Sequence, residues 1–251
     1  MDYKVEFLAG WRRDRCCPCA GLVPSSLGPG GVMEYQEASS EVERILRADL
    51  GALSHGEGAS VRPPAALRSW KISVRDREAL SDHGLPSVPS VDMLMRVGAH
   101  FQSSGEPEFS SVDWRGYVIG RCGEVKIVVN DRSGSVLAVP EVPDIPPVLA
   151  PLHPDGIQDE LINSKVIAFV DFCWRWYWLS PVLLDQRDRA DRAEMDAWEA
   201  ARKSGNKGSE VDFHVPYREL CAKVRANFCG KERLMVGNPS SMWSVMIDGF
   251  E

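Results

Sequence analysis

The chain lacks the signatures by which the common catalytic folds announce themselves. It has no G-x-S-x-G elbow, no P-loop, no G-x-G-x-x-G after a strand-like run and no H-x-E with P-C-x-x-C. α/β-Hydrolases, P-loop NTPases, Rossmann-type dinucleotide-binding enzymes and zinc deaminases each carry one of these arrangements. Gly28, Gly30 and Gly31 precede no strand-to-helix unit, so they are loop glycines. Five histidines are scattered, and none stands in a recognisable motif. The expectation is a protein that is not an enzyme and has no catalytic residue.

A disulfide framework is also missing. There are seven cysteines, an odd number, and only Cys16, Cys17 and Cys19 lie together. Cys122, Cys173, Cys221 and Cys229 are dispersed in mostly apolar surroundings, which suits reduced thiols. Zinc needs four ligands at workable spacing. No Cys/His pair follows the N-terminal trio, and the nearest histidine is His55. His214, Cys221 and Cys229 are close in sequence, but Cys221 falls on an apolar stripe, where cysteine packs as a small hydrophobe. No metal and no cofactor is expected.

Long uncharged hydrophobic runs are absent too. The best candidate, residues 166–184, contains Asp171, Arg175 and Pro181. Two charges at the middle of a span are expensive in lipid, so a buried helix is the better reading. Residues 1–15 carry Asp2 and Glu6 first and Arg12 and Arg13 later, the reverse of a secretory signal. Both observations, with the reduced thiols, point to the cytoplasm.

What is present is ordinary globular material with one asymmetry. Hydrophobic residues make up 44% and charged residues 26%, with a formal net charge of -7. An acidic total argues against direct nucleic-acid binding and suits a basic protein partner. The charge is concentrated. Between Ser133 and Ser164 there is no lysine or arginine, and residues 106–160 hold ten acidic against four basic side chains. Glu141, Asp144, Asp155, Asp159 and Glu160 therefore stand out as partner-binding candidates on loops beside a sheet. Asp159 and Glu160 are read as loop residues ahead of a helix.

Residues 1–33, with the cysteine trio and a Gly/Pro/Ser stretch, are expected to have little fixed structure. Met33 opens the first patterned segment and is a second candidate start, which the mass of the native protein tests. Residues 34–64 read as a short helix, entered at a Ser40/Glu43 capping box, and then a linker over 51–64. The main domain is placed at 65–251. Its pattern predicts a helix over 73–83 stopped by Gly84 and a strand over 91–101. An antiparallel meander follows over 114–120, 124–130 and 135–139. Asp131-Arg132-Ser133-Gly134 is the turn within it. Asn163 or Ser164 is expected to cap a mostly apolar helix whose face runs through Val166, Phe169, Val170, Cys173 and Tyr177. Residues 185–203 read as an exposed, charged helix, and 185–209 as an insertion. Pro216 starts a further helix, 234–236 reads as a strand, and 240–247 as a last helical turn or two. Trp174, Trp176 and Trp178 read as core rather than as a base-stacking platform.

The order of motifs carries a resemblance. Leu80-x-x-His83-Gly84-Leu85-Pro86 comes first, then Tyr117-Val118-Ile119-Gly120. Next are Ile127-Val128-Val129-Asn130 with Gly134 and Val136, then Ile162-Asn163-Ser164 and Phe169. Trp243-Ser244 and Asp248-Gly249 close the series. Over residues 65–250 the chain resembles the SUKH superfamily, and within it the immunity-protein branch numbered as the fourth group. Asn130 stands where that group often has Asp. The resemblance implies an α+β fold with an antiparallel sheet packed with helices. It also implies a bacterial protein that binds and neutralises a toxin, often a basic nuclease. Other members of the superfamily act as intracellular scaffolds or regulators, which is the alternative reading.

Overall fold

The computed structural model describes residues 34–55, 60–87, 97–110, 114–122, 125–140, 159–205, 211–236, 238 and 241–248. Helix α1 (Tyr35–Arg47) is entered at Glu34, whose carboxylate accepts from the backbone of the third helical residue. Glu37 answers by accepting from the Glu34 N–H at 3.2 Å. The helix therefore starts earlier than a Ser40/Glu43 box would place it. Ser40 instead donates to the Gln36 carbonyl inside the helix. Residues 51–64, expected as a linker, hold most of a short helix α2 (Leu50–Ser54) and the strand β1 (Ser60–Val61).

A 3-10 turn (Ala65–Ser69) leads to helix α3 (Val74–His83). Ser73 caps it by accepting from the Asp76 N–H, and Gly84 ends it at φ +62°. A side chain at 84 would meet the Val61 carbonyl at 2.6 Å. Only glycine lets β1 approach and pair antiparallel with β2 (Leu85–Pro86). Then come β3 (Gly98–Ala99), β4 (Phe109–Ser110), β5 (Arg115–Cys122), β6 (Val125–Asn130), β7 (Val136–Pro140) and β8 (Glu160–Asn163). Among the described residues the main sheet is antiparallel, in the order β3-β5-β6-β7-β8, with β4 also on β5. The predicted meander is β5-β6-β7. Of the strand expected over 91–101, only 98–99 is strand among the described residues.

Period-two alternation sends Tyr117, Ile119, Ile127, Val129 and Val136 to one face, where they join the main core. Val118, Val128 and Val139 make a small cluster on the other face with Trp114 and Leu137. The main core is organised around helix α4 (Val166–Ser204), a single helix of 39 residues with Pro181 inside it. The apolar and charged segments expected as separate helices are continuous. Its N-cap is Lys165, with no side-chain cap bond, so neither Asn163 nor Ser164 caps it.

Helix α5 (Val215–Lys231) starts with Pro216 in its first turn, as predicted. Residues Arg233–Met235 are a 3-10 turn rather than a strand, and α6 (Met242–Asp248) ends the described chain. Phe172 of α4 stacks on Phe228 of α5 at 4.1 Å, and Trp243 of α6 meets both edge-on at 5.4 and 5.7 Å. Three helices are locked there by aromatic area. The architecture is α+β: an antiparallel sheet packed with helices on its inner face.

Candidate interaction surface

Several residues that look chemical in the sequence turn out to hold the fold. The Ile162-Asn163-Ser164 motif is the clearest. Glu232 is buried, and its Oε2 accepts from the Ser164 N–H at 2.9 Å and the Ser164 hydroxyl at 3.0 Å. The Trp243 indole N–H donates to Asn163 Oδ1 at 2.9 Å. The strand-to-helix corner is thus tied to α5 and α6 through buried polar atoms that find partners in one another. Asp248 is anchored to Arg225 of α5. Trp174 and Trp176 are buried, and the Trp174 indole donates to the Gly84 carbonyl at 3.3 Å. Trp178 donates to the Leu53 carbonyl at 3.0 Å. The tryptophan run is core, as expected.

His83 of the first motif lies against Ser54, with Oγ 2.9 Å from Nδ1. The pair does not suit nucleophilic catalysis. Ser54 is 2% exposed, and the ring nitrogen facing it is the one a triad gives to its carboxylate. Burial lowers the His83 pKa; His55 and Arg62 add to the lowering, while Asp82 and Asp171 oppose it.

Two buried thiols are equally unsuited to such chemistry. Burial pushes Cys122 up to about 12. Burial, helped by Cys122 and Asp171, raises Cys173 well above the usual thiol range. Nucleophiles and metal ligands are thiolates, so neither group is poised for that chemistry. His214 lies 3.5 Å from Asp191 and 3.4 Å from Glu194 rather than on Cys221. Among the described residues no three metal-ligating side chains cluster. The Cys16, Cys17 and Cys19 trio lies outside them.

Of the five acidic candidates, Glu141, Asp144 and Asp155 lie outside the described residues. Asp159 and Glu160 are placed, and the position differs from a loop before a helix. Glu160 opens β8, opposite Ala138 of β7, with Asp159 just ahead of it. Both are half-buried, and burial raises the Asp159 carboxyl above the ordinary aspartate range. Next along the strand, Leu161 is 40% exposed. Among the described residues, the strand β8 is the end strand of the sheet. The two carboxylates therefore mark the sheet's outer edge, where charge discourages unwanted strand pairing.

A different surface carries the largest exposed apolar groups. No residue of α4 beyond Ala190 is buried, so the helix end projects from the core. Met195 and Trp198 on it are each 57% exposed, and the Arg202 guanidinium lies 5.4 Å from the Trp198 ring centre. Val211 and Val215 are exposed in the segment at the start of α5. The sequence reading found this segment as an exposed charged helix but passed over Met195 and Trp198. The signal was available as two large apolar residues three apart among charges.

No helix among the described residues is long and apolar enough to cross a membrane. No curated protein and no solved structure matches the chain. The family model described as SUKH-4 immunity protein matches residues 45–248, starting earlier than the resemblance read from the motifs. That match takes in α1's last turn, the whole sheet and every helix after it, and the chain belongs to the SUKH-4 immunity protein family.

Proposed function

We propose that this chain is an immunity protein that binds a toxin of a bacterial polymorphic-toxin system and neutralises it in the cytoplasm of the cell that makes both. The family match over residues 45–248 carries the reading. The buried Cys122 and Cys173 thiols and the structural use of His83 and Ser54 agree with action by binding. The partner is a basic, nuclease-like protein domain, because the chain's net charge is -7 and residues 133–164 have no cationic side chain. Opposite fields steer such a pair together and set its salt dependence. Glu141, Asp144, Asp155, Asp159 and Glu160 are the proposed contacts on the acidic side.

The test is titration of the purified chain with the toxic domain encoded by the adjoining gene, inactivated in its active site. Tight binding that blocks the wild-type toxin is expected. Asp155→Lys with Asp159→Lys should weaken binding and flatten its salt dependence. If the double reversal leaves affinity unchanged at every salt concentration, those five residues are not the contact. If the unaltered chain does not bind, the toxin reading itself fails.

A further inference from the structure

Beyond Ala190 helix α4 leaves the core, and one face of that projecting end has a pattern that reads the same in both chain directions. Asp191, Met195, Trp198 and Arg202 are spaced by four, three and four residues. At 3.6 residues per turn they fall within about 60° of one another around the axis, the spacing of a coiled-coil seam. All four are exposed, Met195 and Trp198 each at 57%. The Arg202 guanidinium lies 5.4 Å from the Trp198 ring centre, which places the charge on the same face as the indole. Asp191 lies 3.5 Å from His214 at the surface and keeps 57% of its side chain accessible. The seam thus has a carboxylate at one end, a guanidinium at the other and two large apolar groups between them. Nothing among the described residues buries Met195 or Trp198.

The order of charge along this face chooses the occupant. From Asp191 to Lys203 there are four carboxylates and three cationic side chains, so the surface has almost no net field to attract a strongly basic or acidic protein. Two copies laid antiparallel, with a twofold axis between residues 196 and 197, set Asp191 opposite Arg202 and Met195 opposite Trp198, each pair twice. The positions flanking the seam agree, because Arg192 of one copy then faces Glu199 of the other. Lys203 lies 3.4 Å from Glu199 in its own chain, and a surface pair of that kind is weak enough to exchange. Laid parallel, the same helices would set Asp191 on Asp191 and Arg202 on Arg202, which costs affinity. Within one chain Asp191 and Arg202 are about 17 Å apart along the axis, too far to pair with each other. A face complementary to its own reverse is the self-matching surface of a twofold dimer.

We propose that two copies of this chain associate through the projecting ends of α4, with Met195 and Trp198 as the apolar contact and Asp191–Arg202 pairs fixing the antiparallel direction. The extent of the surface sets the strength. The projecting end is roughly 20 Å long, so the buried area falls below the roughly 800 Å² per partner of a standard interface. The dimer is therefore concentration-dependent, and the monomer prevails in dilute solution. The inference goes beyond the toxin reading and does not rest on it. Asp159 and Glu160 lie ahead of the start of α4, and Trp198 is about 48 Å further along the helix axis, so the dimer leaves that acidic edge uncovered.

The experiment is analytical ultracentrifugation of the full chain from micromolar to sub-millimolar concentration, at low and high salt. A reversible monomer–dimer equilibrium is expected. Trp198→Ala alters only an exposed side chain, so circular dichroism and thermal melting in dilute protein should not change. It is expected to weaken association about 30-fold or more, as anchor residues do. Asp191→Arg and Arg202→Asp each bring like charges together across the seam, and each should weaken the dimer about tenfold or more at low salt. Both exchanges in one chain restore opposite charges in the antiparallel register alone, and association should return to within about threefold of the unaltered chain. The proposal is overturned if the unaltered chain stays monomeric at every concentration, or if Trp198→Ala associates equally well. It is also overturned if the double exchange associates no better than either single one. A monomeric unaltered chain that loses binding of the adjoining gene's toxic domain on Trp198→Ala would overturn it too, and would give this face to the toxin.

Discussion

At the scale of single residues, the strongest constraints are buried charges and polar groups with several partners each. Arg175 is 3% exposed and lies at the middle of the apolar half of α4. Its guanidinium donates to the Ile45 carbonyl at 2.5 Å and the Ala48 carbonyl at 2.9 Å, and pairs with Asp171. Lys231 reaches the same carboxylate at 2.8 Å. The C-terminus of α1 leaves carbonyls without helical partners, and Arg175 supplies them. Arg175→Met keeps the stem but strands those carbonyls and half of the Asp171 pairing. A loss of about 3–5 kcal/mol is expected for one partner taken from a buried ion pair. It should appear as a lower urea midpoint at unchanged slope.

His83 gives a second prediction at this scale. Burial lowers its folded pKa, so the unfolded chain binds the proton more readily. Stability from this group is present above the unfolded histidine pKa and is lost as pH falls through that value toward the folded one. The denaturation midpoint should drop between pH 7.5 and 5. His83→Asn, which can still accept from Ser54, should show a smaller drop. An equal drop in both proteins would assign the acid sensitivity elsewhere.

Elements depend on turns and on what packs over them. Gly134 sits at φ +68° in the β6–β7 turn, and a side chain there would meet Asp76 Oδ2 at 2.7 Å. Asp76 is itself buried and bonded to Ser73, so it has little room to yield. Gly134→Ala is expected to cost about 1–3 kcal/mol in a melt, from the left-handed backbone and the contact together. The turn was legible in the sequence because Asn130, Asp131, Ser133 and Gly134 have a local mechanism. Asn130 Oδ1 accepts from the Arg132 and Ser133 N–H groups. The helix over Val74–His83 was legible for the same reason, with a serine at one end and a glycine at the other. Two other boundaries were not. The composition changes sharply after Leu184 and Pro181 precedes it, which reads as a break, yet burial of the flanking turns holds α4 continuous. Ser164 looks like a cap, but Glu232, far away in sequence, takes both its hydroxyl and its N–H. Long-range partners of that kind leave no local trace. The acidic excess was legible as composition, whereas its position at a sheet edge depends on the pairing of Glu160 with Ala138.

For the molecule as a whole, the consequence is an uneven distribution of stability along one helix. From Val166 to Leu183, α4 is the axis of the core, with Val166, Phe169, Val170, Phe172, Cys173 and Leu179 all essentially inaccessible. Past Ala190, among the described residues, the same helix has its own hydrogen bonds, the His214 contacts, the Arg202–Trp198 contact and surface ion pairs such as Lys203 with Glu199 at 3.4 Å. Exposed pairs contribute about 0–1 kcal/mol each, and an isolated helix this short is marginal in water. The two halves therefore answer to different equilibria. Amides from Phe169 to Gln186 should exchange with solvent only through global opening, at roughly 5–15 kcal/mol for a domain of this kind. Amides from Arg192 to Lys203 should exchange through local fraying at about 0–2 kcal/mol. Native-state hydrogen exchange read by mass spectrometry separates the two segments on one peptide map. Uniform protection along the helix would mean that the projecting end is held by contacts as strong as the core's.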